Sequence, residues 1–250
     1  MQYIKDKSID LILCDLPYGT TKCKWDTIIP FEELWNCYNR IIKDNGVIAL
    51  FGQEPFSSIL RTSNFKNYKY DWYWRKSKPL GFPNAKKMPL KDIEVISIFY
   101  KKQPTYNPQG LQPYNKVINR PKSMTEKGNH ISAYNGGALK QETYVREFTN
   151  YPRQVLEFGV EGKCIHPTQK PVELLEYLIK TYSNDGQTVL DNCMGVASTG
   201  IACMNTNRNF IGIELDDTYF DNGLTRINTY INDNKLKNVN IDKLIEVKSY

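Results

Sequence analysis

Ile9-Asp10-Leu11-Ile12-Leu13-Cys14-Asp15-Leu16-Pro17-Tyr18 decides the reading of this chain. Ile9–Cys14 is a run of strand length, apolar but for Asp10, and Pro17 and Gly19 force a turn directly after it. The run therefore reads as a short buried strand. An acid, a backbone carbonyl and an aromatic ring converge at its C-terminal end, which is where open α/β sheets bind ligands. That set suits chemistry on the exocyclic amine of a flat base. Carboxylate and carbonyl can accept the two N–H bonds while the ring stacks on the base. D-x-P-Y is short, and an acid just ahead of a proline is usually only a turn, so other segments must carry the reading.

Working outward, Phe31–Ile42 has helical spacing at Phe31, Leu34, Trp35, Tyr38 and Ile41, with Pro30 fit for a first turn and Asn45-Gly46 as its end. Val47–Phe51 is a second continuous apolar strand, and Pro55–Leu60 has room for one or two helical turns. Strand, helix, strand points to a parallel sheet. Lys69–Trp74 and Glu94–Tyr100 read as two more strands, separated by a turn-rich basic loop, Arg75–Leu90. From Lys101 to about Gly162 the chain is polar, with no sustained period and too long for an ordinary connection, so a functional or mobile segment is expected. Val172–Tyr182 is an amphipathic helix and Thr188–Asp191 a short strand. Gly195 and Gly200 flank a turn into a helix through about Asn205, followed by a strand at Phe210–Leu215 and a helix at Tyr219–Asn232. Ile245–Val247 closes the chain as a candidate strand.

Length and composition fit one large α/β domain or one domain with an insertion. The first residues, Met1–Asp6, are too polar for a signal peptide, and no apolar run approaches a membrane span. Six scattered cysteines with no C-x-x-C pair, and two histidines, argue against a zinc site and for a reducing, intracellular compartment. No metal is expected. The net charge of +6 is unevenly spread: Arg61–Lys127 holds 15 Lys/Arg against 4 Asp/Glu. Trp72, Tyr73, Trp74, Phe82, Phe99 and Tyr100 are interleaved with those charges. The bland alternative is a solvated basic face; the functional one is a nucleic-acid surface. Lys76, Lys86, Lys87, Lys101 and Lys102 are the candidates for phosphate contacts.

A second constellation follows the 188–191 strand. Asp191, Gly195 and Ser198-Thr199-Gly200 form a small-residue turn into a helix, where a ligand can approach the backbone and meet N–H groups. Glu214 ends the next strand. An acid about 20 residues beyond such a turn commonly binds ribose hydroxyls, which suggests an adenosine-containing cofactor. Neither G-x-G-x-x-G nor G-K-[ST] is present, so NAD and ATP readings are weak. The bland alternative is a plain β–α–β unit.

Three blocks together resemble the DNA adenine-N6 methyltransferases dependent on S-adenosylmethionine, in the subgroup whose D-P-P-Y motif precedes the cofactor turn. Asp15–Tyr18 is similar to D-P-P-Y. His166-Pro167-Thr168-Gln169-Lys170-Pro171 is similar to a family block ahead of its helix, and Asp191–Gly200 to the cofactor turn. The resemblance spans nearly the whole chain. It implies a Rossmann-like methyltransferase domain with a mixed, mostly parallel sheet (residues 1–74 and 161–250) and a basic target-recognition insert (75–160). It implies S-adenosylmethionine as cofactor and double-stranded DNA as partner, with a homodimer left open. It implies that Asp15 and the Leu16 carbonyl accept the adenine amino hydrogens, that Pro17 fixes the turn and that Tyr18 stacks on a flipped base. Glu214 would hold the cofactor ribose, Asp191 and Gly195 would shape the methionine side, and His166 and Lys170 would lie nearby, with Lys170 able to meet the cofactor carboxylate.

Three departures bear on this. Leu16 stands where the family has proline, but the group needed there is a backbone carbonyl. Val196-Ala197 replaces Ser-Gly in the cofactor turn, and the Cβ of Ala197 is expected to weaken cofactor binding if it faces the ligand. Residues 1–8 leave room only for a stub where family members carry another strand and turn. A catalytically weak DNA-binding relative is therefore a competing reading, as are cytosine-N4 methylation, which usually goes with Ser in place of Asp15, and methylation of RNA.

Overall fold

The computed structural model describes residues 1–21, 23, 26–119, 143–159 and 169–234. Two compact units emerge, Pro108–Pro152 and the rest of the chain. The larger one is built on a seven-stranded sheet. Its strands are β1 (Ile9–Asp15), β2 (Ile42–Gly52), β3 (Tyr68–Leu80), β4 (Lys91–Phe99), β7 (Val155–Phe158), β8 (Thr188–Asp191) and β9 (Asn209–Gly212), in the order β7-β3-β4-β2-β1-β8-β9. β1 pairs parallel with β2 and β8, β8 with β9, and β3 with β7; β4 runs antiparallel to β2 and β3. The sheet is thus mixed and mostly parallel.

Continuous apolar runs sit in the middle of this sheet because both faces are covered. On β1, Leu11 and Leu13 face one core with α3 (Val172–Tyr182), while Ile12 and Cys14 face the other with α1 (Phe31–Ile41). Trp72 Nε1 and Tyr70 Oη meet the Tyr182 hydroxyl at 2.5 and 2.9 Å, tying α3 to β3. Burying Leu34, Tyr38 and Ile41 under the sheet contributes about 1.5–3 kcal/mol each. Residues 1–8 are held by Arg40, whose guanidinium donates to the Ile4 and Met1 carbonyls, and Ile4 is buried.

Two boundaries differ from the sequence reading. α1 ends at Ile41, not at Asn45-Gly46, because β2 begins there and carries a bulge against β1: Ile9 pairs with Ile42, but Leu11 with Val47. A Cβ on Gly46 would lie 2.9 Å from the Asp10 carbonyl, so glycine answers a close approach rather than a helix stop. The division of the chain also differs from an insert at 75–160. Arg75 to Leu80 continue β3, Lys91 to Phe99 are the interior strand β4, and Val155–Phe158 is the edge strand β7. Ser77–Leu80 lack alternation because both faces of that ribbon meet solvent.

Pro108–Pro152 holds an antiparallel pair, β5 (Gln112–Asn119) and β6 (Thr143–Thr149). Lys116 and Arg146 both stack over the Tyr114 ring, at 5.0 and 5.5 Å. The candidate strand at Ile245–Val247 lies outside the described residues.

Candidate active site

The connections β1–α1–β2 and β8–α4–β9, with α4 spanning Ser198–Asn205, lead away from each other on opposite faces of the sheet. The strand order therefore reverses between β1 and β8, and this is where α/β sheets bind ligands beyond their carboxyl ends. Asp15 ends β1, Asp191 ends the adjacent β8, and Glu214 follows β9. With strands about 4.8 Å apart, three carboxylates line one edge within about 10 Å.

Asp15 is held from two sides. The Tyr18 hydroxyl donates to its Oδ1, and Lys170 Nζ lies 2.5 Å from its Oδ2. The Tyr18 ring packs 5.0 Å from Phe56. Burial, reinforced by Asp15, pushes the Tyr18 phenol well above its ordinary range, so it stays a donor. The turn that carries Tyr18 is organised by Asp26, whose carboxylate accepts the N–H groups of Gly19, Thr20 and Thr21 at 2.6–2.9 Å. Burial works against that charge. The Thr21 hydroxyl and the backbone donors outweigh it and hold the carboxyl below its usual range. The turn is thus stabilised above about pH 4 and loses that support as pH falls through the lowered value.

Lys170, for which the resemblance implies a place near the cofactor, sets its ammonium on Asp15. It also lies 3.8 Å from Glu94 Oε2 and 5.1 Å over the Phe51 ring. Burial disfavours the ammonium, but Asp15 and Glu94 outweigh it and raise Lys170 above its ordinary value of 10.5. Glu94 Oε1 in turn meets Lys76 Nζ and Gln53 Nε2, both at 3.3 Å. A buried chain of charges results: Asp15, Lys170, Glu94, Lys76.

The cofactor-type turn is braced from inside. Asp191 is buried and accepts from the Thr199 hydroxyl (2.6 Å) and the Cys193 N–H (3.1 Å). Burial pushes its carboxyl up to about 6, against the pull of those donors. The Gly195 N–H donates to Glu214 Oε2 (2.8 Å), while Glu214 Oε1 accepts from the Leu215 and Asp216 N–H groups. Arg226, on α5 (Asp217–Asp233), donates to the Val196 carbonyl and the Ser198 hydroxyl. Ala197 takes the left-handed conformation (φ 58°, ψ 37°) as the residue preceding α4. It is fully buried, and a Cβ on Gly223 of α5 would come within 3.4 Å of its methyl. The methyl therefore packs toward Gly223, and the missing side chain at 223 makes room for it. The ideal Cβ direction of Gly195, by contrast, meets open space.

The basic candidates separate. Lys86 and Lys87 are exposed in the β3–β4 connection, on the same edge as Asp15. Lys76 does not offer a phosphate contact: its side chain is 10% exposed and pairs with Glu94. Lys101 and Lys102 follow β4, which runs antiparallel to β2 and so ends toward the start of that strand, and Lys102 is 3.8 Å from Asp44. They lie at the edge opposite Asp15. His166 is outside the described residues. Glu94, Asp26 and Arg226 escaped the sequence reading as site residues. Among the described residues no helix is long and apolar enough to cross a membrane, and no His, Cys, Asp and Glu group could hold a metal.

The sequence profile of the DNA methylase family, N6 and N4 methyltransferases, matches residues 9–225. The DNA adenine methyltransferase YhdJ of Escherichia coli (strain K12) is 27% identical, over 91% of this chain and 79% of that protein. The crystal structure of the M1.HpyAVI–SAM complex superposes with a TM-score of 0.57 at 27% identity, covering 90% of each chain. The cytosine-N4-specific PvuII DNA methyltransferase shares the fold, with a TM-score of 0.60 at 14% identity over 97% of this chain and 85% of that one. The fold is that of the class I methyltransferases.

Proposed function

Because the chain belongs to the DNA methylase family of N6 and N4 methyltransferases, we propose that it moves the methyl group of S-adenosylmethionine to the N6 amino group of adenine in double-stranded DNA. The observation that carries this reading is Asp15 at the reversal of strand order, its carboxylate fixed by Tyr18 and Lys170. An ionised carboxylate has about four acceptor positions. Two are taken here, so Asp15 retains room for an incoming amino hydrogen. The Leu16 carbonyl accepts the second hydrogen, and the Tyr18 ring stacks on the extruded base. The two acceptors orient the nitrogen lone pair for in-line attack, so positioning and electrostatics carry the catalysis. An acid rather than Ser at position 15 favours adenine over cytosine.

S-adenosylmethionine supplies an activated methyl group when bound. The residues fit it: Gly195 leaves the space a Cβ would fill, and Glu214 stands one strand further along for the ribose hydroxyls. Ala197 does not obstruct this site, because its methyl faces Gly223. Equilibrium binding of S-adenosylmethionine tests the reading. The wild-type protein binds it, and Ala197→Gly stays within about threefold. Gly223→Val pushes on Ala197 and on the Gly195 carbonyl, 3.1 Å from the Cβ position. Overpacking of this kind costs about 1–3 kcal/mol, and affinity is expected to fall about tenfold. Wild-type protein without measurable affinity would favour the catalytically weak DNA-binding relative.

DNA contact is assigned to Lys86 and Lys87, on the site's edge. Replacing both with alanine is expected to weaken binding across sequences and to reduce the slope of log K against log salt by about 2. An unchanged slope removes them from the interface.

A further inference from the structure

Beyond Gly52, the last β2 residue paired with β4, the β3–β4 hairpin runs on, flanked by β7 as far as Lys76 and, among the described residues, by no strand from Ser77 onward. Val95 pairs with Gly52, whereas the hairpin's last pair is Leu80 with Lys91. Ile96 pairs with Phe51, so five residues at about 3.3 Å each place that last pair about 16 Å beyond the level at which Asp15 meets Phe51. The tip is ordered. Gly81 adopts φ 92°, a left-handed conformation that glycine takes without strain. The Asn84 N–H then bonds to the Gly81 carbonyl (2.9 Å) and the Ala85 N–H to the Phe82 carbonyl (3.0 Å), closing one tight turn. This turn presents Phe82 to solvent at 79% exposure, the highest of any large apolar residue among those described. Leu80, Met88 and Leu90 are exposed beside it. No carboxylate falls between Arg75 and Lys91, while Lys86 and Lys87 flank the apolar tip.

An apolar tip ringed by cations at the rim of a base-modifying site has one partner of matching chemistry, a nucleic acid duplex. Cations meet phosphates, and the ring enters the stack. Extruding a base costs a few kcal/mol and leaves a gap between its neighbours. Proteins that kink duplexes insert apolar side chains between base steps, and a gap left by an extruded base offers the same kind of place. The reach fits, since a major groove is about 8.5 Å deep. The geometry points to Phe82 as a wedge that occupies the space vacated by the target adenine and so holds it outside the helix, in the Asp15 pocket. This rests on the reading of the chain as an adenine-N6 DNA methyltransferase.

The test uses a short duplex carrying a site that the wild-type protein methylates, with the thymine opposite the target adenine either intact or replaced by an abasic residue. The abasic partner removes most of the cost of extrusion. Phe82→Ala is expected to lower kcat at least tenfold on the intact duplex and less than threefold on the abasic one, with Phe82→Trp restoring most of the rate. Equal losses on both duplexes, or no loss on either, would overturn the wedge. Wild-type protein for which no duplex serves as a methylation substrate would overturn the functional reading, and the wedge with it. Wild-type activity with an undiminished Phe82→Ala rate would overturn the wedge alone.

Discussion

Asp15→Asn is expected to lower methyl transfer by about 10²–10³-fold, the loss typical when one preorganised polar group is removed from a transition state. The argument is geometric. Lys170 Nζ lies 2.5 Å from Oδ2, and the Tyr18 hydroxyl donates to Oδ1. An asparagine side chain would turn its carbonyl toward the buried ammonium and its NH₂ toward Tyr18 and the incoming amine. Donor then faces donor where the base must dock. The affinity for S-adenosylmethionine is expected to stay within about threefold, because the Gly195–Glu214 contact does not involve Asp15. The loss should therefore appear in kcat, read per folded molecule in a single-turnover experiment. A loss confined to cofactor affinity would contradict this assignment.

Lys170→Met is expected to have the largest effect on stability. It removes the cation shared by Asp15 and Glu94, whose side chain is 6% exposed, and leaves Glu94 to Lys76 and Asp15 without that ammonium. Breaking a buried pair in this way costs about 3–5 kcal/mol. For a domain of this size each kcal/mol moves the melting temperature by about 2–4 °C, so a fall of about 6–20 °C follows. The pH dependence has a definite sign. Lys170 is raised above 10.5 in the folded protein, so its stabilisation is fully present below that value. It is lost only as pH rises through the higher folded value. The gap between wild type and variant should therefore stay constant from about pH 6 to 9 and close only in stronger alkali. Calorimetric scans of both proteins across that range measure it. A gap below about 1 kcal/mol would mean that the ammonium contributes little where it is placed.

Much of the central sheet was readable because burial on both faces writes continuous apolar runs. Ile9–Cys14 and Val47–Phe51 lie within β1 and β2, and Val172–Tyr182 is α3. Asp15, Asp191 and Glu214 were readable as candidates because each closes such a run before a turn. The extent of β3 was not, since Ser77–Leu80 form a solvated ribbon whose order comes from the pairing of Leu80 with Lys91 rather than from burial. The buried charges were masked by their surroundings. Lys76 looked like one more member of a basic cluster, and Glu94 like the polar start of a strand. A signal was nevertheless present in the alternation. Lys76 shares the face of Trp72 and Trp74, and Glu94 that of Ile96 and Ile98, all of which belong to one core. Charged residues in step with a buried face must find partners there, and each other is what these two found. Arg226 and Asp26 left no comparable mark, because they act on backbone groups brought close only by the folded chain.

The most direct test is to incubate the protein with methyl-labelled S-adenosylmethionine and mixed-sequence duplex DNA, beside Asp15→Asn, and to digest the product to nucleosides. The account predicts label on N6-methyladenine with the wild-type protein and about a hundredth of it or less with the variant. Label on N4-methylcytosine instead, or N6-methyladenine undiminished by the loss of the Asp15 charge, would contradict it.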